Sequence, residues 1–120
     1  LNTRDRPGWL LGTSTDAMIA IALAGHANLG IQYDLYHMHV MGDDLLATMR
    51  RLLPRIHHIQ FADAPGRHEP GTGTLDFPAL FAAVDAMGYR GWVGAEYSPS
   101  KRTEDTLHWL AKPRGPGPNP

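Results

Sequence analysis

Short apolar segments alternate with segments that carry helix signals along most of this chain. The apolar segments, which predict strands, are residues 29–36, 56–61 and 91–97. The predicted helices run from a cap at Ser14 or Thr15 to about Ala24, over 45–53 after Asp43 or Asp44, over 78–87 after Asp76, and over 103–110. Because strands that alternate with helices form parallel βαβ units, the order predicts an α/β fold around a parallel sheet.

The number of strands limits how the sheet can be completed. The strands are apolar along most of their length, as in parallel sheets covered on both faces. Three strands leave two open edges, which invite pairing with another chain, so we expect self-association. The chain is therefore either a small three-layer sandwich or part of a larger sheet. Residues 112–120 are rich in Pro and Gly and are expected to be a disordered tail.

The composition is that of a globular protein and excludes some classes of function. The 120 residues carry a net charge of −1 with His neutral, which gives no basic field for nucleic acid. No apolar run approaches the length of a membrane span, so no membrane partner is expected. The chain has no Cys, which excludes disulfides and thiolate metal sites and fits a cytoplasmic protein.

A polar side chain stands at the carboxyl end of each predicted strand: Asp34, Gln60 and Glu96. In parallel α/β folds these ends lie at one face, so the three side chains can converge. Two carboxylates and an amide oxygen form a hard site that suits Mg²⁺ or Mn²⁺ better than Zn²⁺. The carboxylates would repel each other without a cation, which is a further reason to expect one.

Each of these residues also has a purely structural interpretation. Asp34 can cap the segment that follows it or pair with an arginine, and Gln60 can hydrogen-bond to backbone. Glu96 favours a functional role more strongly, because its strand has no other charge and a buried, unpaired carboxylate is costly.

The second strand runs directly into a charged loop that contains Asp63, Arg67, His68 and Glu69, shaped by several Gly and Pro residues. Enzymes of the α/β class place catalytic groups on such loops, which a rigid scaffold positions. The alternative is a polar surface loop whose charges cluster by chance. The carboxylates that end two other strands favour the functional interpretation.

Three segments carry a family resemblance: residues 32–39, with sequence QYDLYHMH; 58–73, with sequence HIQFADAPGRHEPGTG; and 91–97, with sequence GWVGAEY. They closely resemble the hydroxypyruvate isomerase family of xylose-isomerase-like TIM barrels. The resemblance implies that residues 1–111 correspond to the C-terminal half of a (β/α)₈ barrel. That half contains the last three parallel strands and the last four helices.

The resemblance also implies roles for the strand-end residues. Asp34, Gln60 and Glu96 match the last three of four metal ligands in the family. Residues 1–5 match the segment that follows the first ligand, a Glu, which is therefore expected just before Leu1. That Glu and Glu96 would form the acid/base pair that interconverts hydroxypyruvate and tartronate semialdehyde through a metal-stabilised enediolate.

The resemblance places two further residues beside a small keto-acid substrate. His37 would lie near the substrate oxygens. Arg67 presents a fork of donors that suits a carboxylate or a developing oxyanion.

Other functions remain open at this point. A 2-keto sugar-acid isomerase or a ketose 3-epimerase of the same superfamily would use the same residues. A further alternative is that the chain is an inactive truncated fragment. A DNA-repair endonuclease of the superfamily would need a His-rich multi-zinc site and a basic groove. Gln60 and the net charge of −1 argue against that function.

Overall fold

The computed structural model describes residues 2–110, in which three strands form one parallel sheet. The strands are β1 (Ile31–Asp34), β2 (Ile56–Phe61) and β3 (Trp92–Ala95), and β2 lies in the middle. The predicted α/β class with a parallel sheet is therefore confirmed. The predicted disordered tail lies outside the described residues.

Helices precede, connect and follow the strands in the predicted order, with one short additional helix directly after β1. They are α1 (Ser14–Ala24), α2 (Leu35–Val40), α3 (Leu45–Leu52), α4 (Phe77–Ala86) and two 3₁₀ helices at Leu53–Arg55 and Thr103–Leu110. The side chains of Asp44 and Asp76 accept hydrogen bonds from the backbone N–H groups of Ala47 and Ala79, each at 3.0 Å, and so cap α3 and α4 as predicted. Within residues 2–110 no helix combines the length and the apolarity that a membrane span requires.

The start of α1 differs from the prediction, because Thr13 rather than Ser14 or Thr15 is the capping residue. The hydroxyl of Thr13 accepts a hydrogen bond from the N–H of Asp16 at 3.1 Å. The carboxylate of Asp16 accepts one from the N–H of Thr13 at 2.9 Å. This reciprocal capping box satisfies two donors at once, which a cap one or two residues later would not do.

The first strand is shorter than the predicted segment 29–36. It ends at Asp34, whose side chain accepts a hydrogen bond from the N–H of His37 at 3.1 Å and so starts α2. Tyr36 and His37 therefore lie on a helix, directly after the strand. An apolar sequence alone did not reveal this change, because Leu35 and Tyr36 suit a strand equally well.

The sheet has one apolar and one polar face, so the expectation that both faces are covered is wrong for residues 2–110. Tyr33, Ile59 and Phe61 point to the apolar face and are buried in the main core. Helices α3 and α4 pack on this face through residues that include Met49 and Leu80. The core also contains an aromatic cluster in which the ring of Phe61 lies 5.1–5.5 Å from its neighbours, Phe77, Phe81 and Trp109.

The polar face is open, and it carries Gln32, Asp34, His58 and Gln60 at alternating positions of β1 and β2. Trp92 at the start of β3 is 85% exposed. Within residues 2–110 the outer edges of β1 and β3 have no strand partner. Self-association through these edges stays a prediction.

The carboxylate of Asp63, which is completely buried, organises the loop after β2. One of its oxygens accepts hydrogen bonds from the N–H groups of Ala64 and Leu75, at 2.8 and 3.1 Å. The other accepts from Gly71 and Gly73, at 2.8 and 2.9 Å. A Cβ atom at Gly73 would lie 2.2 Å from the backbone oxygen of Ala64, so this close turn requires glycine.

The pKa of Asp63 reflects the same contacts. Burial by itself raises the pKa of this carboxyl, but the four backbone N–H donors outweigh it, and the net pKa lies below the ordinary value. The ionised form therefore stabilises the fold above the ordinary pKa of Asp, and this contribution is lost as the pH falls through the lowered value.

The substitution Asp63→Asn tests this arrangement. An amide keeps one acceptor oxygen but turns an NH₂ group toward the other pair of buried N–H donors. We expect the free energy of unfolding to fall by roughly 2–4 kcal/mol, the cost of leaving two buried donors unsatisfied. Urea denaturation measures the change. Asp85→Asn, an exposed change on α4, is the matched control, and equal losses in the two variants would contradict the assignment.

Candidate metal and substrate site

The register of the sheet brings the three predicted metal-binding residues to one face. Asp34 lies directly beside Gln60, and Gln60 lies beside Gly94. The N–H of Glu96 donates to the backbone oxygen of Phe61 at 2.9 Å, so the pairing continues just past β3. Since Glu96 follows Gly94 by two positions, it points to the same face. Asp34, Gln60 and Glu96 all line one cavity of about 950 Å³.

Asp34, His37 and Glu96 form a compact group of potential ligands. Each offers one ligand atom, and these atoms lie within 4.8 Å of one another. Asp34 and His37 are buried and Glu96 is exposed. Two carboxylates beside an open cavity suit a divalent cation that prefers oxygen ligands. The amide oxygen of Gln60 is also an oxygen ligand of this kind. The donor set therefore fits the metal that the sequence predicts.

Asp34 caps a helix, which is one of the structural roles that the sequence suggested, and it still has one carboxylate oxygen available. Its Oδ1 atom caps α2. Its Oδ2 atom lies 3.8 Å from Nε2 of His37, which is beyond hydrogen-bond distance. Capping and metal binding are compatible, because each uses a different oxygen.

The side chain of Gln60 is held by Gln32, a residue that was not among the predicted site residues. The amide group of Gln32 donates a hydrogen bond to Oε1 of Gln60. Gln32 precedes Asp34 by two positions, so the alternation of side chains along the strand is a signal that could have identified it.

Glu96 is exposed rather than buried, so the expectation of a buried, unpaired carboxylate is wrong. Its side chain is 51% exposed and forms an ion pair with the guanidinium of Arg67. Arg67 in turn lies over the ring of Tyr36, with 5.6 Å between the guanidinium carbon and the ring centre. The structure thus joins the predicted catalytic residue to the predicted carboxylate-binding residue.

The backbone of Arg67 is fixed in an uncommon conformation. Its φ of 58° is in the left-handed region, which few residues other than glycine adopt. Its carbonyl oxygen accepts a hydrogen bond from the N–H of Ser98 at 2.8 Å. Arg67 pairs with neither Asp63 nor Glu69, the two carboxylates of its own loop, because backbone N–H groups and Ser100 are their partners.

Glu69 links the loop after β2 to the segment after β3. It is 3% exposed, and its two oxygens accept hydrogen bonds from the backbone N–H and the hydroxyl of Ser100. The hydrogen bond from the Ser100 side chain is the main reason that the pKa of Glu69 is lowered to about 2.

A buried polar group that the sequence did not reveal lies behind His37. Asn2 is 1% exposed, and its amide nitrogen lies 2.8 Å from Nδ1 of His37 and 2.9 Å from the carboxylate of Asp5. The hydroxyl of Tyr36 donates to the same carboxylate at 3.0 Å. The contacts of Asn2 with His37 and of Tyr36 with Asp5 join positions more than 30 apart, so no local sequence pattern indicates them.

These contacts and burial shift the pKa values of the group. The hydrogen bond from Asn2 is the largest cause of the lowered pKa of Asp5, ahead of the opposing effect of burial. Burial lowers the pKa of His37 below its ordinary value, although the charge of Asp34 acts in the opposite direction. His37 is therefore held neutral near pH 7.

Comparison with known proteins places the whole described region within one family. The family model described as xylose isomerase-like TIM barrel matches residues 2–112. The structure of an AP endonuclease, family 2, from Brucella melitensis superposes with a TM-score of 0.88 at 39% identity, over 96% of this chain and 45% of that one. A 3-keto-D-glucoside 4-epimerase from E. coli superposes with a TM-score of 0.74 at 32% identity, over 84% of this chain and 40% of that one.

Two curated relatives are named as isomerases. A 2-oxo-tetronate isomerase of Cupriavidus necator is 42% identical over 92% of this chain and 42% of its own length. A hydroxypyruvate isomerase of Escherichia coli is 43% identical over 92% of this chain and 43% of its own length. The chain thus spans less than half the length of these relatives.

The contact between Glu69 and Ser100 predicts an unusual titration. The carboxyl carbon of Glu69, followed by NMR, should titrate at about 2. Ser100→Ala should return its midpoint toward the ordinary value, because the hydroxyl donor is lost. Stability from this pair should be present above the ordinary pKa of Glu and lost as the pH falls toward 2. An unchanged midpoint in Ser100→Ala, with Ser98→Ala as control, would show that the hydroxyl is not the cause.

Proposed function

Because the chain belongs to the xylose isomerase-like TIM barrel family, as its motifs predicted, we propose that it supplies the C-terminal half of the active site of an isomerase for short 2-keto acids. The first candidate reaction is an aldose–ketose isomerisation that interconverts hydroxypyruvate and tartronate semialdehyde. Isomerisation of 2-oxo-tetronate is the second, since relatives with the two names are 43% and 42% identical to the chain. The convergence of Asp34, Glu96 and Arg67 on one cavity carries the proposal.

The two candidate substrates share the atoms that would react. Each has a carboxylate on C1, a carbonyl on C2 and a hydroxyl on C3. In the reaction the C3–H bond breaks and a C2–H bond forms, while the hydroxyl proton passes from the oxygen on C3 to the oxygen on C2. The site therefore needs an acid/base group for the carbon-bound protons and a hydrogen-bond donor for the oxygens on C2 and C3. It also needs a cationic side chain to bind the substrate carboxylate.

Asp34, Gln60 and Glu96 are the proposed ligands of Mg²⁺ or Mn²⁺. Their common face in the sheet and the oxygen chemistry of the set support this assignment. When bound, the cation supplies Lewis acidity toward the carbonyl and hydroxyl oxygens.

Glu96 is the proposed acid/base residue of this half of the site. It stands at the cavity with half of its side chain exposed, so a substrate carbon can approach its carboxylate. Its ion pair with Arg67 limits the rotamers available to the carboxylate and so orients it. In the proposed reaction Glu96 is one of the two groups that remove the proton from C3 and return a proton to C2.

Arg67 and His37 are the proposed substrate-binding residues. The guanidinium has five N–H donors, and one carboxylate does not use them all, so Arg67 can bind Glu96 and a substrate carboxylate together. Its left-handed backbone supports a functional position, because strained residues cluster at such sites. His37 lines the same cavity and would face the substrate oxygens.

A multi-zinc nuclease site has less support. The group of potential ligands in residues 2–110 contains two carboxylates and a single histidine. A zinc site of that class would require more nitrogen ligands.

The proposal predicts which substrates the assembled barrel converts. The chain is purified alone and in complex with a co-expressed N-terminal half of the E. coli relative, and both samples are assayed with hydroxypyruvate and 2-oxo-tetronate in Mg²⁺ or Mn²⁺. We expect turnover by the complex and none by the chain alone, because members of a catalytic unit act non-additively. An assembled complex that converts neither acid would contradict the proposal.

The same assay tests the role of Arg67. Arg67→Lys in the complex should raise KM by roughly ten-fold or more, because a point charge replaces a bidentate donor. Arg102→Lys changes the exposed ion pair of Arg102 with Glu104 in the same way and is the matched control. An unchanged KM in Arg67→Lys would remove Arg67 from the substrate site.

A further inference from the structure

The contact between Asn2 and His37 joins two nitrogen atoms, so one must donate and the other must accept. Nδ2 of Asn2 and Nδ1 of His37 lie 2.8 Å apart. The amide nitrogen of Asn can only donate, whereas Nδ1 of His can do either. The question is therefore whether the amide of Asn2 is oriented with its nitrogen toward the ring.

The backbone of Asp5 fixes that orientation. Oδ1 of Asn2 accepts a hydrogen bond from the N–H of Asp5 at 2.7 Å. A backbone N–H only donates, so the oxygen of the amide must be at this position and the NH₂ group must be at the other. The second amide hydrogen goes to the carboxylate of Asp5, at 2.9 Å, which only accepts. Rotating the amide by half a turn would break both contacts with Asp5, because it would set an NH₂ group against the backbone N–H and an oxygen against the carboxylate.

It follows that Nδ1 of His37 carries no proton. A neutral imidazole then carries its proton on Nε2, and an imidazolium would set an N–H against the NH₂ group of Asn2. The surroundings of Nε2 agree, because the carboxylate oxygen Oδ2 of Asp34 lies 3.8 Å from it. A carboxylate attracts an N–H and repels a lone pair. Within residues 2–110 the side chain of His37 forms its hydrogen bond through Nδ1, with Asn2.

We propose that Asn2 is a positioning residue that holds His37 as the Nε2–H tautomer, so that His37 presents a hydrogen-bond donor to the cavity and does not ligate a metal. A protonated Nε2 has no lone pair for a cation, although His37 belongs to the compact group with Asp34 and Glu96. The tautomer itself is independent of the proposed function. Only the identity of the acceptor, a keto-acid oxygen, rests on that function.

The tautomer can be read directly from the chain by NMR. In ¹⁵N-labelled protein, two-bond ¹H–¹⁵N correlations distinguish a protonated ring nitrogen from an unprotonated one, and His37→Gln identifies the signals of His37. We expect Nε2 to be protonated and Nδ1 to be unprotonated in the unmodified chain, without metal or substrate. Protonation on Nδ1 would overturn the proposal with no variant needed.

A charge-neutral exchange tests whether Asn2 is the cause. Asn2→Asp combined with Asp5→Asn keeps one amide and one carboxylate in the group but places acceptor oxygens against Nδ1. We expect Nδ1 to become protonated in this double variant. Asp5→Asn alone is the matched control and should leave the Nε2–H tautomer, because the backbone N–H at position 5 still orients Asn2. The same tautomer in all three proteins would overturn the role of Asn2.

Added Mg²⁺ separates this inference from the proposed metal site. We expect the signals of Asp34 and Glu96 to shift while Nε2 of His37 keeps its proton. Loss of that proton on binding would make His37 a ligand and overturn the inference. If no signal shifts, the proposed metal site fails in this chain, while a retained Nε2–H tautomer still supports the role of Asn2.

Discussion

The parallel register of the three strands is the constraint on which the rest of the site depends. It places Asp34 beside Gln60 and Gln60 beside Gly94, and the alternation of side chains then brings Glu96 to the same face. The same alternation sends Tyr33 and its neighbours to the opposite face, where the helices cover them. The alternation of side chains along the strands thus places the core on one face of the sheet and the site on the other. A shift of one residue in either pairing would exchange the two faces and dismantle both.

The carboxylates in this region are of two kinds, which differ in whether groups of the protein already hydrogen-bond to both of their oxygens. Asp63 and Glu69 are buried, and backbone N–H groups or Ser100 occupy their oxygens, so they shape the loops that hold Arg67. Asp34 and Glu96 keep oxygens that face the cavity. Buried and internally bonded carboxylates favour one loop geometry, and that geometry holds Arg67 in its left-handed conformation between Glu96 and the ring of Tyr36. Asp63 and Glu69 therefore position Arg67, which is proposed to act together with Asp34 and Glu96 in the site.

Much of this arrangement could be predicted from the sequence because it depends on local rules. The strand-end positions of Asp34 and Gln60 follow from short apolar segments, and the caps at Asp44 and Asp76 follow from residue type. The position of Asn2 behind His37 could not be predicted, because their contact is set by tertiary folding. The exposure of Glu96 could not be predicted either, because an apolar strand sequence does not show that one face of the sheet is open.

The central claim is that Asp34, Gln60 and Glu96 bind a divalent cation, and Mn²⁺ titration followed by NMR tests it most directly. Mn²⁺ broadens signals near its site, so the account predicts that the side-chain signals of these three residues broaden first. Asp34→Asn should weaken binding by roughly ten-fold or more, while Asp85→Asn on the exposed side of α4 should leave it unchanged. Broadening centred elsewhere in the chain, or equal affinities in the two variants, would contradict the claim.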